Sequence, residues 1–400
     1  MAVGVLRMSD WKRAAKDDEF AEYIRRSRER FDRGEAATVR KVRALYRRVA
    51  NQLHQEIVGM TPGTLRHSHA VALAGVLQRV AETLNKEIMI AVRFGIDLAV
   101  MEAVLGAERI TALLTDGVFR KQEIQSMFAA VNQRAVLATL SRTHKDGLKL
   151  SDRIWRTSQN ARRSLERLVE DAVARGLDTR TLASDVQRYL QPGVWTSLKD
   201  ETRRRLKVPR DVSMEAVRLA VTEMQHAFHE GTVQAYRHVP SCRGFYWRLS
   251  SSHPIPDICD NFARRGGNGF WEKGNVPIKP HPWCRCVLVP AMEDPQDFVK
   301  RLKSWVNNPH SQPDLENWYN GLAKEFIGRP DPASTIRPKT GSTPPQPPPM
   351  SPLVRELTRL GLSRNVAESV ENVSELIRQK TIRNDVEYAA MIDAATGQRI

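Results

Sequence analysis

The stretch VALAGVLQRVAETLNKEIMIAV, residues 71–92, carries Leu73, Val76, Val80, Leu84, Ile88 and Ala91 at steps of three and four. An α-helix completes a turn every 3.6 residues, so these six side chains share one face. The same texture extends in both directions. Upstream, Val39, Val42, Tyr46, Val49 and Leu53 form a second stripe after Gly34, and Trp11 to Arg33 is charged, with apolar residues at Phe20, Ile24 and Phe31. Thr61-Pro62-Gly63 breaks the chain between stripes. Downstream, a third apolar run covers Ile96 to Leu114. Asp116-Gly117 and His144-Lys145-Asp146-Gly147 read as turns, and helices resume at Ser151 to Ala174, Thr179 to Leu190 and Ser213 to Tyr236. Ser213 is the candidate N-cap of the last. Everything up to about residue 240 therefore reads as helical.

The texture changes at Pro240. Phe245 to Leu249 reads as a strand, Arg264 to Gly274 as a glycine-rich loop and Cys286 to Val289 as a further strand, before helical character returns from Pro295 to Ile327. Arg329 to Pro352 is packed with Pro, Ser and Thr, which keeps a chain extended and coreless. The expected fold is mainly α: an elongated helical N-terminal region followed by a small α+β domain with a Cys/His cluster. The expected organisation is a helical region over 1–205, the α+β domain over 206–328, a Pro-rich linker over 329–352, and a C-terminal helical segment over 353–400 that reads as the start of a further domain.

Composition narrows the function classes. The chain has 400 residues, 41% hydrophobic and 27% charged, with a formal net charge of +16. Such an excess fits a polyanionic partner, nucleic acid or an acidic protein surface, and equally a solvated basic exterior. Arg203, Arg204 and Arg205 with Lys207 are the densest basic group and the candidate phosphate contacts. The most apolar run, Ile88 to Leu105, carries Arg93, Asp97 and Glu102, which argues against a membrane span. Glu223, His226, His229 and Glu230 lie at helical spacing and read as a polar helix face. No nucleophile–base–acid arrangement and no paired carboxylates stand out.

The four cysteines lie close together, at 242, 259, 284 and 286, which fits a reducing compartment better than a disulfide framework. His281-Pro282-Trp283-Cys284-Arg285-Cys286 brings three soft donors into one tight turn, and His253 and Cys259 form an upstream pair beside Asp257 and Asp260. Zinc takes four tetrahedral donors from thiolate and imidazole. His253, Cys259, His281, Cys284 and Cys286 are thus five candidates for four positions of a structural zinc site. The plain alternative is that these cysteines are small buried apolar side chains and the histidines serve the turns at Pro254 and Pro282.

Trp247-Arg248-Leu249-Ser250, His253, Asp257-Ile258-Cys259-Asp260 and Pro280 to Cys286 together resemble the Mu F-like phage head-morphogenesis family. The family's closing His-Pro-x-Cys-Arg-Cys signature is matched at every fixed position. Two features depart from the family pattern. Ala220-Val221-Thr222-Glu223 lacks the Arg of the family's preceding helix, and Phe262 stands where many members have a second cysteine, with His253 as the substitute. The resemblance covers roughly residues 216–290. It implies a minor head protein of a tailed bacteriophage or prophage that acts in assembly and not in turnover. Its partners would be the portal protein and the inner capsid or scaffold, with unselective contact to packaged double-stranded DNA and none to a membrane. It would sit inside the capsid of the virion, and in the host cytoplasm during assembly. Some members carry enzymatic C-terminal extensions, so the segment after the linker stays open on this point. Two other function classes remain. A metal-dependent enzyme or effector carried by the phage would need an open metal position and a general base. A zinc-dependent host DNA-binding protein would select its sequence.

Overall fold

The computed structural model describes residues 19–330 apart from 145, 192–199, 210 and 254. The linker from residue 331 onward and the segment 353–400 lie outside the described residues, as does Trp11. The fold is mainly α with a small α+β region. Its helices are α1 Glu19–Val58, α2 His67–Leu114, α3 Lys121–Ser141, α4 Leu150–Ala174, α5 Thr179–Leu190, α6 Asp200–Leu206 and α7 Ser213–Arg237. Then come β1 Cys242–Arg248, α8 Ile258–Arg264, β2 Phe270–Glu272, β3 Val287–Met292, α9 Pro295–Asn307 and α10 Pro313–Asn320.

Helix α2 is the spine. It runs 48 residues, about 72 Å at 1.5 Å per residue, and touches α1, α3, α4 and α7. Leu73, Leu84 and Ile88 of the opening stripe are fully buried, while Val76 and Ala91 are half-buried against the same core. The two apolar runs on either side of residue 92 form one helix and not two. Helix α1 likewise runs through Gly34 without a break. A Cβ at Gly34 would lie 3.2 Å from Leu98 Cγ of α2 and closer still to Cδ2, so the glycine serves a close helix crossing.

Helix α7 approaches α2 through glycines in both helices. A Cβ on Gly231 would meet Val100 Cα and Ala103 Cβ at 3.1 Å, and one on Gly95 would meet the Met224 side chain. The Val100 contact is backbone and cannot yield. Gly231→Val is therefore expected to cost about 1–3 kcal/mol through overpacking, read as a lowered urea midpoint. An unchanged midpoint would mean that the α2–α7 contact is not tight. The cap of α7 differs from expectation: Asp211, not Ser213, accepts from the backbone of Ser213 and Met214, and Ser213 is the first helical residue.

The three strands form an antiparallel sheet in the order β2-β1-β3. Phe245 and Trp247 of β1 are fully buried. Trp247 meets His229 of α7 and Phe262 of α8 edge-on, at 5.8 and 5.0 Å between centroids. Strand β2 lies inside the stretch expected to be a loop. It spans only three residues, follows Gly269 (φ +75°), and gives too short a pattern to read against glycines.

Candidate metal centre

The site sits where the segment after β1, the short helix α8 and the loop before β3 converge. Asp257 caps α8, accepting from Cys259 N at 2.7 Å, and Asp260 reaches back to Asp257 N at 2.8 Å. That local cap fixes Cys259 at the start of the helix, where it is fully buried. The other two cysteines come from the tight turn, in which Trp283 adopts φ +61°. A left-handed backbone costs a non-glycine residue roughly 1–2 kcal/mol. Here the Trp283 N–H faces Thr222 Oγ1 of α7 at 3.4 Å.

The sulfurs of Cys259, Cys284 and Cys286 all lie within 4.8 Å of one another, and all three residues are buried. Cys259 Sγ is 3.7 Å from Cys284 Sγ and 3.5 Å from His281 Nε2. Tetrahedral zinc with bonds near 2.3 Å to sulfur and 2.0 Å to nitrogen has S···S edges of about 3.8 Å and S···N edges of about 3.5 Å. Sulfur spacing and donor chemistry therefore fit a metal of this kind. The sequence's five candidates are brought to one place. They do not form one set, however: each imidazole approaches one sulfur, His281 as above and His253 through Nδ1 at 4.0 Å from Cys286. Cys242, at the start of β1, donates to its own strand at Gly244 O and stands apart.

The two histidines differ in what their second nitrogen does. His253 Nε2 is 2.9 Å from Asp260 Oδ2, which leaves Nδ1 facing Cys286. His281 has acceptors at both nitrogens, Pro282 O at 2.9 Å from Nδ1 and Asp257 Oδ2 at 3.0 Å from Nε2. The carboxylate–imidazole–sulfur order at His253 is the arrangement that orients a ligating histidine.

Among the three sulfurs the surroundings favour one thiolate, at Cys284, while Cys259 and Cys286 are pushed up. Hydrogen bonds from Cys259 and Cys286 hold the Cys284 thiol well below its ordinary value, and Cys259 is pushed up because its proton is shared with Cys284. Lys279 is buried, and its ammonium donates to Cys284 O at 2.8 Å and Cys286 O at 2.6 Å. Burial lowers its pKa, against the opposing pull of the thiols. Lys279 and Arg285 were not foreseen. Arg285, between the two cysteines, reaches Glu35 of α1 at 2.5 Å, and buried Glu35 also accepts from Gln225 of α7 at 2.5 Å. The cluster is thereby tied to two long helices.

Beside it, the polar face of α7 lies inside the protein: Glu223 and His229 are buried and His226 is half-buried. Glu223 is 1% exposed and accepts from Arg142 at 2.7 Å, with His144 Nε2 at 3.4 Å. Arg142 also donates to His226 Nδ1 at 2.6 Å, and His229 Nε2 faces Pro277 O at 2.9 Å. The basic group on α6 is also only partly free. Arg205 pairs with Asp171 at 2.7 Å and Arg203 with Asp200 at 3.2 Å, while Arg204 and Lys207 are exposed with no carboxylate partner among the described residues.

Comparison with protein-family models, curated proteins and solved structures finds no match. The Mu F-like reading accordingly rests on the quoted residues alone.

Proposed function

We propose that this chain is a minor head protein of a tailed bacteriophage or prophage, in which the Cys/His cluster is a structural zinc knuckle. The observation that carries the reading is the gathering of Cys259, Cys284 and Cys286 into one buried sulfur set by the His-Pro-Trp-Cys-Arg-Cys turn and the capped start of α8. These are the residues on which the family resemblance stands. When bound, zinc would cross-link the start of α8 to the turn before β3. Cys259, Cys284 and Cys286 would supply thiolates and His253 the imidazole. Its Nδ1, 4.0 Å from Cys286, stands wider than a tetrahedral edge but is oriented by Asp260, whereas His281 Nε2, at 3.5 Å from Cys259, is already taken by Asp257. Lys279 would offset the surplus negative charge of three thiolates. Three thiolates and one imidazole close the coordination shell and leave no position for substrate, which favours assembly over turnover. Arg285 and Gln225 would pass the knuckle's rigidity to α1 through Glu35, and the long helices would present it to the portal or inner shell.

The ligand choice is testable. His253→Ala should weaken zinc at least about 100-fold, and His281→Ala by the roughly 10-fold typical of an outer partner, in competition titrations with a chromophoric chelator. The reverse order would exchange the two roles. The function is tested by propagating the phage with a nonsense codon early in this gene. Intact tails with defective or DNA-poor heads are expected. A normal yield of infectious particles would overturn the assignment.

A further inference from the structure

The solvent face of α1 carries a stripe of arginines that neither the knuckle nor the core uses. Arg33, Arg40, Arg43 and Arg47 are all exposed. At 100° per residue they fall within an arc of about 80°, and at 1.5 Å per residue they span about 21 Å. None forms an ion pair within 4 Å among the described residues; Arg33 lies near enough to the buried Glu102 of α2 to favour its charged form, and Arg40, Arg43 and Arg47 face solvent alone. Other cations on this helix are engaged: Arg48 pairs with Glu87 at 3.4 Å and Lys41 lies 4.5 Å over the Phe94 ring. The one acid between residues 33 and 55 is Glu35, which is buried and turned inward to Arg285 and Gln225.

Protein surfaces that serve only solubility intersperse both signs of charge. A single-sign row on one continuous helix, with the one acid within it, Glu35, buried and turned inward, matches a regular polyanion. We propose that this stripe binds the phosphate backbone of double-stranded DNA, without sequence selectivity. A duplex is favoured over a single strand because single-strand binding relies on aromatic platforms for bases. Positions 33, 36, 40, 43 and 47 hold four arginines and one alanine. The stripe replaces the α6 group as the main anion surface, since two of that group's four cations are already paired. The proposal does not depend on metal in the knuckle or on the head assignment.

The test is anisotropy of a fluorescein-labelled 20-base-pair duplex with the full chain, between 50 and 200 mM salt. The variant carries Arg33→Gln, Arg40→Gln, Arg43→Gln and Arg47→Gln together. These are surface changes, so an unaltered circular dichroism melt checks the fold. Each phosphate contact contributes about −0.9 to the log–log salt slope, so four contacts give about −3.6. Wild type should therefore lose about 150-fold more affinity across that salt range than the variant, and a shuffled duplex should bind equally. An Arg204→Gln, Lys207→Gln control should keep most of the slope. No binding by wild type, a salt slope unchanged in the stripe variant, a larger loss in the control, or more than tenfold preference between duplexes would each overturn the proposal.

Discussion

Replacing Cys284 and Cys286 by serine is expected to abolish zinc binding and unfold the segment between β1 and β3 while leaving the helical bundle standing. The asymmetry follows from where the core lies. Helices α1 to α5 bury a continuous apolar interior that includes Tyr46, Phe31, Leu84 and Ile96. The segment from Ser250 to Cys286 holds only short elements, α8 and β2, between stretches of loop. Such a segment gains most from a cross-link. Structural zinc in small peptides has apparent binding energies of about 10–16 kcal/mol, coupled to folding. Loss of even a fraction of that would release the turn. Atomic absorption should read one zinc per wild-type chain and none per variant chain. Hydrogen exchange should quicken over residues 250–290 and stay slow over α2. Equal, near-zero zinc in both proteins would sink the ligand assignment and leave the cysteines as buried apolar side chains. Exchange that quickens uniformly along the chain would mean that knuckle and bundle fold as one unit.

The second large effect is acid lability. Burial, reinforced by Arg142, pushes His226 down to about 2, and burial, reinforced by Lys279, pushes His229 down to about 3. In the unfolded chain both titrate near 6.5. The folded state therefore keeps these imidazoles neutral while the unfolded state gains protons below about pH 6.5. Their full contribution to stability is present above that value and is lost as the pH falls. Between pH 7 and 5 the loss is about 2 kcal/mol for each histidine, or about 4 kcal/mol together. His144 and His238, each lowered to about 4 chiefly by burial, act in the same direction. Glu102, Glu108 and Glu223, raised chiefly by burial, act in the opposite direction, because the folded state takes up their protons as the pH falls, and they offset part of the loss. Urea midpoints measured in chelator, so that zinc release does not intervene, should fall steeply from pH 7 to 5. A flat profile would mean that water reaches the face of α7 that carries His226 and His229.

Helix periodicity carried most of the fold. Leu73, Leu84 and Ile88 announce α2 by spacing alone, and the texture change at Pro240 marks where strands begin. What spacing could not give is whether Gly34 ends a helix or lets one pass, because a glycine satisfies both and the deciding atom, Leu98 Cδ2, is 64 positions away. The site was legible as residue types in order: Cys259, Cys284, Cys286, His253 and His281 do meet. Their roles were not, because Asp260 and Asp257 separate the two imidazoles by hydrogen bonding, which spacing does not encode. Lys279 looked like any surface lysine until the turn closed over it. Glu223, His226 and His229 read as a polar helix face, and spacing alone does not say whether such a face meets water or protein. Only the neighbouring Arg142 and the loop at Pro277 reveal that it is buried.

The most direct measurement of the central claim is the protein composition of purified heads. Particles from an induced lysate would be separated into empty and DNA-filled fractions and quantified by mass spectrometry against the portal protein. A minor head protein should appear in both fractions at a few copies per portal. Absence from both, with the chain abundant in the cytosol, would contradict the account.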